Sequence, residues 1–454
     1  MAFDARGRSA VEARAGGGRR IAVIGSGVSG LSAAWLLSER HDVALYERDA
    51  RLGGHANTVN VPVGDLTVPV DAGFIVFNKP NYPNLTALFD RLGVALEETD
   101  MSFGVSIDEG AVEFSSRGPF GMIARPASLA SPAHWAMIRD IFRFNRDAST
   151  ALSAGLDDAM TLGEFVAARS YSRGFVTRFL EPMAAAIWST PSLRILEHPA
   201  ASLFRFYANH GLLQTRDMPR WNTVSGGSRI YVEKLAAPLR AKARLGVGVV
   251  RVARTASGVV VTDTSGAEDR FDDVVIATHA DRALAMLAHP SSRERELLGA
   301  FAYQPNRAYV HSDVRLMPKR RRAWSSWNYL GGAGAPSVSY WMNLLQNLDC
   351  PRDIFVTLNP ATPPREEETV AVFDYDHPMF DVAAVKAQKE LWSLQGAGGV
   401  WFCGAHFGAG FHEDGLQAGL AVAEDLGGVR RPWAVENESG RIHRHAPIFA
   451  MAAE

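Results

Sequence analysis

The chain has 454 residues, of which 47% are hydrophobic and 21% charged, with a net charge of −2. That length buries about three quarters of the unfolded surface without staples; the charge excludes a global basic field for nucleic acid. Two cysteines, Cys350 and Cys403, exclude a disulfide framework and a four-cysteine zinc site. The sparse cysteines point to a reducing, cytoplasmic setting, and no apolar run is long enough to span a bilayer. Residues 1–19, rich in Ala, Gly and Arg, read as a disordered leader. The apolar run 21–24 has the form of a buried parallel strand. A helix over 28–39 and a strand over 42–46, closed by Glu47, complete a βαβ opening. Helices are expected over 80–95 and 131–147, with helical patches through 160–215. Strands are expected at 247–251, 259–263 and 274–277. A second β region holds candidate strands at 307–313, 324–329, 338–343 and 354–358, with a hairpin loop at 331–336. A last strand at 400–403 meets a Gly-rich turn and a helix over 414–426, and the tail beyond Gly428 reads as polar and extended.

The strongest motif is Gly25-Ser26-Gly27-Val28-Ser29-Gly30, which follows a strand and opens a helix. Gly25 permits the tight turn, Gly27 lets backbone approach a pyrophosphate, and Gly30 lets helix and strand pack closely. The helix N-terminus then faces the phosphates. Glu47 stands where a carboxylate accepts hydrogen bonds from ribose hydroxyls. The segment continues Arg48-Asp49-Ala50-Arg51-Leu52-Gly53-Gly54-His55, whose Gly pair lets backbone pass a second phosphate or a flavin. A nicotinamide-dinucleotide unit has no need of that extension. No second G-x-G-x-x-G follows a strand, which disfavours a dedicated NADPH domain. No metal-ligand spacing occurs.

On these residues the chain resembles the FAD-dependent family of flavin amine oxidases and phytoene-desaturase-like enzymes. The glycine fingerprint, Arg51-Leu52-Gly53-Gly54, Asp71-Ala72-Gly73, Ser225-Gly226-Gly227, Phe402-Cys403-Gly404 and Gly415-Leu416-Gln417-Ala418-Gly419 follow that family's order. The resemblance implies an α/β fold with a Rossmann-like FAD-binding domain built from discontinuous segments, 20–78, 216–289 and 385–428. An inserted substrate domain of mixed β-sheet and helices would take 79–215 and 290–384, leaving 429–454 as a tail. It further implies that Gly25, Ser26, Gly27 and Gly30 hold the pyrophosphate of a non-covalent FAD. Glu47 and Arg48 would lie at the adenosine ribose, and Val249 at the adenine. Gly53, Gly54 and His55 would lie along the flavin side, with Gly404 and Leu416 near the ribityl chain and isoalloxazine. A narrower resemblance, through 324–329, 343–346 and 406–424, is to bacterial predicted NAD/FAD-binding proteins encoded beside cyclopropane-fatty-acid-synthase-like methyltransferases. It implies a lipid link and a lipid-modifying methyltransferase as partner.

Three departures weaken an amine-oxidase reading. Ala405 and His406 stand where the family often has an acidic residue after the glycine. The strand that would carry an active-site Lys offers His311 instead. His412 replaces a cage tyrosine. His412 and Glu413 open the last helix, where acidic residues suit the helix dipole and a histidine suits proton transfer near neutrality. His311 is equally readable as a satisfied core histidine. Trp324, Trp327, Tyr329, Tyr340 and Trp341 form either a β core or one wall of an apolar tunnel. The run Lys319-Arg320-Arg321-Arg322 reads as a solvated loop or a headgroup contact. The 131–146 helix reads as a core helix or a membrane-surface helix, and Cys403 as a small core residue. The expected enzyme is an FAD-dependent oxidoreductase taking hydride from an apolar, fatty-acyl or phospholipid-acyl substrate onto flavin N5, with His412, Glu413 or His311 managing the proton. The outcome would be dehydrogenation or double-bond rearrangement. The alternatives are a peroxide-releasing amine oxidase and a non-catalytic partner of the methyltransferase. Peripheral contact with the inner membrane is also expected.

Overall fold

The computed structural model describes residues 18–157, 159–188, 195–209, 211–213, 219–332 and 336–445. The leader through residue 17 and the tip of the expected 331–336 loop lie outside them. A five-stranded parallel sheet runs in the order Ala243–Leu245, Asp42–Glu47, Arg20–Ile24, Asp273–Ile276, Val400–Phe402. After a charged first residue, Arg20 or Asp273, its central strands are apolar throughout, as strands covered on both faces are: Ile21, Ala22, Val23, Val274 and Val275 are all fully buried. Arg19, placed in the expected leader, is tied to the sheet: its Nη1 donates to Asp273 Oδ2 at 3.2 Å.

Helices Val28–Leu37 and His412–Gly427 lie against each other through small residues. A Cβ at Gly419 would stand 2.2 Å from the Ser29 carbonyl, and one at Gly415 would stand 2.8 Å from Ser29 Oγ. A three-stranded antiparallel sheet, Val249–Thr255, Gly258–Asp263 and Glu268–Phe271, adds Val252, Val259, Val261 and Phe271 to the same core.

The second layer is a seven-stranded sheet in the order Thr369–Met379, Ala302–His311, Phe355–Leu358, Ser337–Trp341, Trp327–Gly331, Phe103–Ile107, Val112–Ser115. One face carries Ala308, Val310, Val338, Tyr340 and Val356, packed with the hairpin Thr58–Val63 and Leu66–Asp71. Val105, Phe114 and Tyr329 join a helical cluster built from Pro132–Ser153, Leu162–Ala168 and Ala200–Asn209. The aromatic hairpin is thus divided: Tyr340 and Trp327 meet edge-on at 4.8 Å over the hairpin side, whereas Trp324 packs on Phe355 in a separate cluster. The 132–153 helix runs past its expected end because Ala148 and Ala151 continue its buried stripe.

Two expectations need correction. Helices Pro83–Leu92 and Ser292–Leu298, assigned to the substrate domain, bury Leu85, Leu88, Phe89, Leu297 and Leu298 in the nucleotide-domain core. Apolar contact, not chain order, sets that boundary. The tail residues 429–445 fold back on the last helix; 446–454 lie outside the described residues. Arg431 is buried and donates through Nε to Glu424 Oε1 at 2.7 Å, and Arg441 Nε donates to Asp414 Oδ1 at 2.6 Å. Its polar residues therefore pair with carboxylates of the last helix instead of with water.

Candidate active site

The nucleotide end is a cradle of backbone. Gly25 adopts φ +99°, and a Cβ at Gly30 would stand 1.9 Å from the Gly25 carbonyl, so neither position accepts a side chain. In front of Gly27 there is open space. Helix Val28–Leu37 begins without a side-chain cap or an acidic residue in its first turn, which leaves its N–H groups for an anion. Gly54 completes the cradle, since a Cβ on it would come 3.1 Å from Gly27 Cα. Glu47 Oε2 accepts from Ser26 N at 3.0 Å and Ser26 Oγ at 2.5 Å, and Oε1 accepts from Asp49 N at 2.9 Å. Val247 N donates to the Glu47 carbonyl at 2.9 Å, which brings the strand starting at Val249 to this rim. Arg48 is exposed beside it and pairs with Asp49 at 3.6 Å. Open amides, a side-chain-free floor and a terminal carboxylate fit the diphosphate and ribose of FAD.

Three motifs separated in sequence converge on the buried carboxylate of Asp71. It accepts from Ser228 N (2.9 and 3.0 Å), Ser228 Oγ (2.7 Å), Thr58 Oγ1 (2.6 Å) and Gln346 Nε2 (2.9 Å). Burial raises its pKa to about 6 against these hydrogen bonds. This knot ties the Asp71-Ala72-Gly73 turn, the Ser225–Ser228 turn and the segment ending in Gln346, and it fixes Phe74, whose N donates to the His55 carbonyl at 2.8 Å.

Around His55 the structure gathers rings that sequence reasoning did not connect. His55 stacks on Tyr375 at 4.9 Å and lies 5.9 Å from His377 and 6.3 Å from His279, while His279 stacks on Tyr303 at 4.4 Å. All three histidines are held below the usual value, chiefly by burial; His377 is pushed down to about 4. Mutual repulsion adds to this for His55 and His377. The cluster is therefore uncharged at neutral pH. Among the described residues, no group of three or more metal-ligating side chains is positioned to hold an ion. His279 had a signal, since it closely follows a parallel strand at the edge where crevices open. His377, in an antiparallel edge strand, had none.

The proton-handling candidates separate. His412 is stacked on Phe74 at 3.8 Å, and its Nε2 is 2.8 Å from Tyr231 Oη; burial lowers its pKa to about 3. Glu413, one residue on, points elsewhere. Its carboxylate accepts from Asn84 N (3.1 Å), Asn84 Nδ2 (2.8 Å), Leu85 N (3.0 Å) and Gln417 Nε2 (2.9 Å), so it caps helix Pro83–Leu92. His311 is also displaced: it is buried with Nε2 on Thr357 Oγ1 at 2.7 Å and Nδ1 accepting from Asp313 N. Strand alternation puts Val310 over the hairpin and His311 on the opposite face. Neither Glu413 nor His311 joins His412 and His55. Gly404 stays close to the cluster, as a Cβ there would stand 2.6 Å from the His406 ring. Leu416 sends its side chain into the core. Phe411, just before the last helix, stacks on Phe206 of the helical cluster at 5.1 Å.

The model of flavin containing amine oxidoreductases matches residues 28–337. A coproporphyrinogen III oxidase of Mycobacterium leprae is 25% identical over 292 residues, 61% of this chain and 63% of that protein; the chain thus spans less than two thirds of its curated relatives' length. A redesigned putrescine oxidase superposes with a TM-score of 0.64 at 16% identity, over 90% of this chain and 98% of that one. A conjugated-linoleic-acid (CLA)-producing fatty acid isomerase from P. acnes gives 0.61 at 16% identity over 90% and 98%. Both share the fold with this chain. With the family's model matching well over half the sequence and a cradle shaped for its cofactor, the chain belongs to the flavin-containing amine oxidoreductase family.

Proposed function

We propose that the enzyme acts on an apolar, fatty-acyl or phospholipid-acyl substrate, by dehydrogenation or by double-bond rearrangement. One observation carries this reading: among the described residues, the rings gathered around His55 and His412 are neutral, Glu413 is occupied by four donors, and the carboxylates that act on His279 and His377, Asp281 and Asp376, stand beside the Arg282 guanidinium at 3.7 and 4.0 Å. Phe74, Phe411 and Phe206 supply flat apolar surface, against which a methylene chain packs without polar cost. When bound, FAD supplies a two-electron acceptor. The chain's own contribution is to exclude water, align the substrate carbon and hold a proton at His412 Nε2, whose hydrogen bond to Tyr231 Oη fixes the ring.

The test is anaerobic absorbance of the purified flavoprotein mixed with unsaturated or cyclopropane-bearing phospholipids, and separately with a panel of amines. Bleaching of the oxidised-flavin band by lipid alone supports dehydrogenation. A shifted double bond found by mass spectrometry, without bleaching, supports rearrangement. Bleaching by amines overturns the acyl reading, and unchanged lipid with unreduced flavin leaves the methyltransferase-partner role.

A further inference from the structure

Four of the ten large apolar side chains exposed among the described residues fall in one stretch: Phe120 (76% exposed), Leu129 (52%), Trp135 (49%) and Phe142 (57%). Monomer surfaces rarely spend aromatics this way. The helix Pro132–Ser153 explains two of them. It buries Met137, Phe144, Ala148 and Ala151 on one face, and its outer face carries Trp135, Arg139, Phe142 and Arg146 at successive helical spacings. The Trp135 indole is held outward by its N–H, which donates to the Leu129 carbonyl at 2.9 Å. Aromatic and cationic side chains thus alternate along an exposed ridge.

A basic cleft belongs to the same region. Arg117, Phe120, Gly121, Arg321 and Arg322 line an open depression of about 500 Å³. Arg321 lies over the Trp324 ring at 4.5 Å and pairs with Asp353 at 2.9 Å, while Lys319 and Arg320 pair with Glu109 and Glu113 at 2.8 Å each. Among the described residues, no carboxylate partners Arg117 or Arg322. The chain is slightly acidic overall, so this positive charge is local and sits beside the protruding rings.

We infer that the surface formed by residues 117–146 and the 319–322 loop docks on an anionic phospholipid bilayer. Phe120, Trp135 and Phe142 would enter the interfacial region, with Arg117 and Arg322 on headgroup phosphates. The charge complementarity selects this occupant: protruding rings beside the Arg117 and Arg322 guanidinium groups suit the headgroup boundary, while Arg139 and Arg146 on the ridge are already paired with Asp140 and Asp147, and an apolar protein partner would leave Arg117 and Arg322 unmatched. The inference stands independently of the acyl-substrate reading, since binding to vesicles is measured without turnover.

The experiment is co-sedimentation of the FAD-loaded protein with vesicles of phosphatidylcholine alone and of equal parts phosphatidylcholine and phosphatidylglycerol. Binding is expected to the mixed vesicles only and to weaken with salt. Trp135→Ala with Phe142→Ala should lower partitioning by at least about tenfold, and Arg117→Gln with Arg322→Gln should remove the preference for phosphatidylglycerol. Leu66→Ser, an equally exposed apolar site elsewhere, should leave binding unchanged, and an unaltered flavin spectrum certifies each variant as folded. No binding to mixed vesicles, or equal binding by the ridge variants, overturns the inference. So does a lipid-free dimer that the Trp135/Phe142 pair abolishes, because the ridge would then be a protein interface.

Discussion

Glu413→Gln separates a structural carboxylate from a catalytic one. In the parent, Oε1 receives Asn84 N, Asn84 Nδ2 and Gln417 Nε2, and Oε2 receives Leu85 N at 3.0 Å. An amide is isosteric but brings donors to one of these two positions. The less costly orientation places its nitrogen opposite Leu85 N–H, so one buried backbone donor loses its acceptor and meets another donor. An unsatisfied buried group costs about 1–3 kcal/mol. Losing the negative charge at the first turn of helix Pro83–Leu92 adds about 0.3–1 kcal/mol. The sum is about 1–4 kcal/mol, a sizeable share of the stability of a typical domain. Urea unfolding followed by tryptophan fluorescence should show a lower midpoint with an unchanged slope. Flavin reduction by whatever substrate the parent uses should proceed within a few-fold of the parent rate at low urea. A variant that unfolds at the parent's midpoint yet reduces flavin a hundredfold more slowly would refute the capping assignment and return Glu413 to proton transfer.

Other outcomes follow from the same geometry. Gly419→Ala should destabilise strongly, because its Cβ would press to 2.2 Å from the Ser29 carbonyl; the expected loss exceeds about 2 kcal/mol by thermal unfolding. Glu47→Ala removes the acceptor for Ser26 and for the ribose and should release FAD on gel filtration, with at least about tenfold weaker binding. His311 and His406 are buried with folded-state pKa values of about 4 and about 3, below the ordinary 6.5. The unfolded chain thus binds more protons than the folded one as pH falls below 6.5. Each should contribute about 1.4 kcal/mol of lost stability per pH unit in that window. His377 and His412, at about 4 and about 3, act the same way; Asp71, raised to about 6, opposes them between pH 6 and 3.8, so urea midpoints should fall from pH 7 to 5. Tyr231→Phe removes the partner of His412 Nε2 and should slow flavin reduction in stopped flow, with about 1–3 kcal/mol of stability lost in urea from the unsatisfied buried nitrogen.

The parallel sheet was legible because its core strands are short apolar runs, and the first and last meet glycine turns at Gly25 and Gly404, so one local pattern implies both burial and connection. The first glycine motif was legible for the same reason: the turn, the close approach and the helix start are all written in neighbouring residues. The site beyond it was not. His55, His279, His377 and Tyr375 meet only after the seven-stranded sheet docks on the nucleotide domain, and nothing at short range says which face of Thr369–Met379 turns inward. His311 was misplaced for a related reason. A strand offers two faces, and a one-residue change of parity exchanges site for far side. The tail was misread because Arg431 and Arg441 look like solvated charges until Glu424 and Asp414 are seen one and a few turns along the last helix.

Helix His412–Gly427 shows how one element serves three ends. Successive residues on a helix point about 100° apart, so His412, Glu413 and Asp414 diverge from a single turn. His412 faces Phe74 and Tyr231. Glu413 caps helix Pro83–Leu92, and Asp414 holds Arg441 of the tail at 2.6 Å while its other oxygen caps its own helix at Phe411 N. Gly415 and Gly419, on the next turns, press the same helix onto the phosphate-binding one. Two of the three side chains in the first turn are therefore occupied by fixing the position of the third. The carboxylates that looked most like acids or bases in the sequence serve to hold a neutral imidazole in place.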